Sequence, residues 1–112
     1  MIKNTTQHTS IKVMMDYSAE PLWGSIDDKS YTNLNIEDLN LPVFITNKLK
    51  TYENLWYGYF ESNKPTKTKY PVDEIDKLGL EIAKHLNKAL PKIQILWYEE
   101  ESNKTLILKE SK

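Results

Sequence analysis

Carboxylates are the side chains here with the most chemistry to offer. Asp16 is followed by Glu20 and then by the adjacent pair Asp27 and Asp28. Acids at such spacing could form a general acid–base pair or hold a divalent cation. The pair runs on into Lys29 and Ser30, which is not the spacing of a calcium loop, so solvated loop acids are the simpler expectation. His8 and His85 stand apart, without metal-ligand spacing. Serines and threonines are plentiful, but no G-x-S-x-G turn occurs and no histidine is placed to act as their base. Gly24, Gly58 and Gly79 are too scattered to cradle a phosphate. The absence of cysteine excludes thiolate nucleophiles, disulfides and cysteine zinc sites. The expectation is a non-enzymatic chain without cofactor or metal; a carboxylate-dependent hydrolase built on Asp16 is the enzymatic alternative.

Charge points toward a protein partner. All fifteen cationic side chains are lysine, and the formal net charge is -1. Both facts argue against nucleic acid, because arginine is the usual bidentate reader of guanine and phosphate. Residues 16–63 carry eight acids against Lys29, Lys48 and Lys50, whereas residues 64–92 carry seven lysines against four acids. Aromatic residues add possible anchors. Tyr17, Trp23, Tyr57 and Tyr98 are the ones with some chance of lying on a binding surface. The candidate partner-binding residues are Glu20, Trp23, Asp27, Asp28, Glu37, Asp38, Tyr57 and Tyr17. Polar residues 1–10 form no signal peptide, and no apolar run approaches the ~20 residues of a membrane span, so the expected location is the cytoplasm.

The elements that must position these residues suit one domain of 112 residues with a loose arm at 1–10. Ile11, Val13, Met15 and Tyr17 alternate as a strand. Residues 18–40 read as a long acidic loop in which Leu22 and Trp23 tuck against the sheet end, with room for a short extra strand. Leu41 to Phe60 predicts a helix with Asn40 as N-cap and Pro42 in the first turn. Residues 61–70 form a basic connection. A second helix then opens at Pro71, buries Ile75, Leu78, Gly79, Ile82, Ala83 and Leu86, and stops at Pro91. Residues 92–99 and 104–109 read as a hairpin. The predicted fold is α+β in the order β-α-α-β-β: a small, mainly antiparallel three-stranded sheet with two helices packed on one face. Met14, Leu96, Tyr98 and Ile107 would lie on the other face, open for contact or covered by the acidic loop.

The run Asp16-Tyr17-Ser18-Ala19-Glu20-Pro21-Leu22-Trp23 at the end of a strand, with Gly79-Leu80-Glu81-Ile82-Ala83-Lys84-His85-Leu86 on a later helix, resembles a group of small bacterial proteins. In size and style these are similar to immunity proteins of bacterial toxin systems, such as those of contact-dependent inhibition. The resemblance implies a toxin inhibitor and brings no catalytic residue with it. Toxin nucleases are commonly basic because they bind phosphate backbones. An acidic surface with aromatic anchors would complement one. A homodimeric structural or regulatory domain is the alternative.

Overall fold

A computed structural model describes residues 8–16, 18–62 and 72–108, without the side chains of residues 59–62. Residues 1–7 of the expected arm, Tyr17 and most of the basic connection lie outside the described residues. The strands are β1 (Ser10–Val13), β2 (Leu22–Ser25), β3 (Thr32–Asn33), β4 (Gln94–Glu99) and β5 (Lys104–Ile107); the helices are α1 (Val43–Ser62) and α2 (Val72–Ala89). The strands form one sheet in the order β3-β2-β1-β4-β5. Pairing is antiparallel except between β1 and β4, which run parallel. The α+β class and the two helices agree with the sequence reading. The three-stranded, mainly antiparallel sheet is corrected to a five-stranded mixed one.

The correction has two physical causes. β2 and β3 are only four and two residues long and contain Gly24, Ser25, Thr32 and Asn33, so they leave almost no alternating pattern to read. The parallel pairing joins segments some eighty residues apart, and such pairing leaves no local signal. Residues 9 and 10, expected in the loose arm, belong to the sheet instead. Thr9 donates its N–H to the Ser25 carbonyl and its own carbonyl accepts from Gln94, which ties residues 9 and 10 into the sheet.

Period two sorts the sheet into faces. Ile11, Val13, Leu22, Ile95 and Trp97 point into the core, where they meet Ile45, Leu49, Tyr52 and Trp56 of α1 and Ile75, Ile82, Ala83 and Leu86 of α2. Leu34 and Leu39 of the long loop join this cluster. Leu22 and Trp23 therefore do not tuck together: Leu22 is fully buried, whereas Trp23 lies half-buried on the opposite face and donates its indole N–H to the Met14 carbonyl at 2.9 Å. The strand registers place Asn33, Trp23, Lys12, Leu96 and Ile107 in one row across that second face.

Turns are held by residues that tolerate left-handed backbone. Asp28, Asn40 and Asn103 have φ of 64°, 54° and 58°. Asn40 is thus not the N-cap of α1; it ends a short 3-10 turn at Ile36–Leu39 that Asn35 caps. The first bonds of α1 go instead to the Pro42 carbonyl, from the N–H groups of Ile45 and Thr46. The turn between β4 and β5 is clamped from α2, where Asp76 accepts from the N–H of Glu100 at 2.7 Å and of Glu101 at 3.2 Å.

Gly79 lets α2 sit close to its neighbours. A Cβ there would lie 3.3 Å from Tyr52 Cε1 and 3.6 Å from Trp97 Cε3. Gly79→Val is therefore expected to cost about 1–3 kcal/mol by overpacking, read from urea unfolding. A variant as stable as the parent would contradict this packing. Asp76→Ala should cost about 1–2 kcal/mol, as a carboxylate accepting two backbone N–H bonds is lost. Hydrogen exchange at the Glu100 and Glu101 amides should speed up selectively; unchanged exchange would show the clamp to be idle.

Candidate functional site

β2 runs antiparallel to β1, and this divides the acids of the long loop between two ends of the sheet. Leu22 pairs with Val13 and Ser25 with Ser10. Glu20 therefore lies beyond the C-terminal end of β1, while Asp27 and Asp28 lie beyond its start, roughly 10–15 Å away along the strand. Asp16 follows β1 at the same end as Glu20, so Asp27 and Asp28 stand apart from both. Among the described residues, no group of three or more His, Asp or Glu side chains could hold a metal ion.

Asp27 and Asp28 spend their oxygens on the chain itself. Asp27 Oδ1 accepts from the N–H groups of Lys29 and Ser30 and from the Ser25 hydroxyl. Asp28 Oδ1 accepts from Thr9 Oγ1 at 2.7 Å and Ser10 Oγ at 2.8 Å. These bonds favour the charged form and hold both carboxyls below the usual aspartate range. Ser10 has one proton and gives it to Asp28, so the Tyr31 hydroxyl, 2.8 Å from Ser10 Oγ, must be the donor to it. The 27–31 turn is thereby stapled over the start of β1.

Glu20 and Glu37 do come together, and Glu53 joins them. The three line a groove of about 220 Å3 between the long loop and α1, with Asn35, Ile36, Thr46, Leu49 and Lys50. Glu20 is anchored by its backbone: its N–H donates to Asn33 Oδ1 and its carbonyl accepts from Asn33 Nδ2. Its Oε1 faces the Ile36 N–H at 3.4 Å. Burial pushes the Glu53 carboxyl up, Glu20 pushes it further, and Lys50 pulls it part of the way back. Asp38 is exposed beside Glu37 on the 3-10 turn but does not line the groove. Tyr57, from the same helix as Glu53, accepts the Ser18 N–H at 3.0 Å and so props the turn that leads to Glu20. Tyr17 lies outside the described residues.

Sequence reasoning counted Glu53 in the charge tally but not as a site residue. Its signal was available: it lies four residues after Leu49, at the margin of the buried stripe of α1. A second acidic group was missed altogether. β1 and β4 are parallel, so the residues after Val13 and those after Trp97 leave the sheet at the same end. Asp76, Glu99, Glu100 and Glu101 therefore share that end with Asp16 and Glu20. Burial raises the Glu100 carboxyl and Asp76 adds to the effect, while the nearby Trp56 indole opposes it.

His85 lies edge-on to Phe44 with ring centroids 4.9 Å apart. Glu81 bridges it to α1, with its Oε2 2.9 Å from Lys48 Nζ and 3.7 Å from His85 Nε2. Among the described residues no helix is long and apolar enough to cross a membrane.

No curated protein and no solved structure matches the chain. A family profile described as Serratia CdiI immunity protein-like (CdiI_serr) does, over residues 9–101. That span runs from the first residue tied into the sheet to the turn clamped by Asp76, and it includes all three groove carboxylates. The chain belongs to the Serratia CdiI immunity protein-like family.

Proposed function

We propose that this chain is a non-enzymatic inhibitor that neutralises a cognate toxin by binding it, and that the toxin presents a basic, nuclease-like surface. The observation that carries the reading is the family match over residues 9–101. The contact surface is the acidic end of the molecule. Glu20, Glu37 and Glu53 converge there around a groove lined also by Leu49, and Lys50 is the one cation among the described residues that line it. A basic side chain entering the groove would find several carboxylates and an apolar base for its methylene stem. Asp27 and Asp28, whose oxygens hold their own turn, serve that turn rather than the interface.

Charge complementarity acts mainly on encounter. A pull-down of the tagged chain from its native cells should recover one basic protein that leaves at high salt; recovery of the chain alone would favour the homodimeric alternative. Against that purified toxin, the double variant Glu20→Lys, Glu37→Lys should slow association by roughly tenfold or more at low salt, with the difference shrinking as salt rises. A folded double variant that associates at the parent rate would remove the groove from the interface.

Glu53 gives a pH test with a definite sign. Its folded-state value lies above the unfolded one, so the folded chain binds the proton more tightly. Ionised Glu53 therefore costs stability above that value, and the cost disappears as pH falls below the unfolded value, about 4.3 for a glutamate. Glu53→Gln should raise the melting temperature of the free chain at pH 7 but not at about pH 4, and should weaken toxin binding at pH 7. Equal melting temperatures at both pH values would show that the groove does not strain this carboxylate.

A further inference from the structure

The face of the sheet opposite the helices carries a cation at its centre. Lys12 lies on β1, the middle strand, between Trp23 and Leu96, with Asn33 and Ile107 at the ends of the same row. Trp23 and Leu96 are half-buried, and Ile107 is 52% exposed. The Lys12 ammonium lies 4.8 Å from the centroid of the Tyr31 ring. That ring is fixed from behind by the bond from its hydroxyl to Ser10, which in turn donates to Asp28.

Lys12 has lost hydration without gaining a counter-charge among the described residues. Among the described residues, the ion pairs are those Glu81 makes with Lys48 and His85, and none involves Lys12. Burial lowers the Lys12 pKa, with no opposing contribution from a carboxylate. A ring face replaces only part of an ammonium's hydration. A cation on an apolar row, backed by a fixed aromatic ring, is electrostatically incomplete, and an anionic side chain arriving from outside would complete it. The surrounding Trp23, Leu96 and Ile107 would then exclude water from the pair and strengthen it.

We propose that this face is a second contact surface for the toxin, and that Lys12 receives an aspartate or glutamate side chain from it, with Trp23, Leu96 and Ile107 closing around the pair. This rests on the reading that the partner is a protein toxin, and it is independent of the acidic groove.

The test uses the complex purified from native cells. A carbodiimide condenses a lysine amine with a touching carboxylate to form an amide; the elements of water pass to the carbodiimide, which becomes a urea. Mass spectrometry is expected to find the Lys12 peptide joined to an aspartate or glutamate of the toxin. In parallel, Lys12→Met keeps the stem of the side chain and removes the charge. It should weaken toxin binding tenfold or more, while the melting temperature of the free chain stays level or rises because a poorly hydrated charge has gone. If wild type recovers no toxin, the partner reading fails and this inference falls with it. If the toxin binds the wild type and Lys12→Met within twofold of each other, the inference alone is overturned. Linkage of Lys12 only to a second copy of this chain would overturn it too. So would a variant that self-associates yet binds toxin as before, because Lys12 would then serve to keep the face from pairing with itself.

Discussion

Strand β1, only four residues long, hydrogen-bonds to neighbours on both sides, antiparallel to β2 and parallel to β4. The parallel side is the constraint on which the rest depends. Parallel strands cannot be joined by a tight turn, so the chain between them must travel back along the sheet, and here it carries both helices as it does so. Those helices cover one face and bury Ile11, Val13, Ile95 and Trp97 beneath Tyr52, Ile82 and Leu86. Among the described residues no helix covers the other face. The same pairing sends the segments after β1 and β4 out at one end, which is why Glu20 and the Glu99–Glu101 run share it.

The acids fall into two physical classes. Asp27 and Asp28 accept bonds from N–H and hydroxyl groups of their own turn, and their depressed pKa values reflect that satisfaction. Glu53 sits where burial and a neighbouring carboxylate disfavour its charge, and so does Glu100, although the Trp56 indole N–H offsets part of the effect there. Carboxylates of the first class stabilise the fold as they stand. Those of the second class cost stability in the free chain and would gain from an added cation. On the proposed reading that distinction has a functional meaning, because a surface held at some expense to the free chain is one that a partner can relieve.

Lys12 is the cationic counterpart on the opposite face. Burial lowers its pKa, and among the described residues the Tyr31 ring stands in for lost water. The 27–31 turn links the two classes of group: the carboxylate of Asp28 that staples the turn also fixes, through Ser10, the ring beneath the ammonium.

Much of this was legible in the residues. The stripe from Ile75 to Leu86 repeats every three or four positions, and Pro91 cannot continue a helix, so α2 and its end follow from local chemistry. Alternation marks β1 and β4 for the same reason, and the runs at Asp16–Trp23 and Gly79–Leu86 resemble the kind of family to which the chain belongs. β2 and β3 were not legible, because a strand of two to four residues that contains glycine and polar groups has no period to detect. Nor was the grouping of the acids. Counting placed eight of them in residues 16–63, but which oxygens meet, and which are already satisfied, depends on strand direction and register. Those are set by pairings between distant segments, which no local spacing encodes. The sequence by itself determined the two helices, strands β1, β4 and β5, their buried faces and the charge they carry; only the tertiary structure decided the two short strands, which carboxylates share a groove and which lysine lies over the Tyr31 ring on the face opposite the helices.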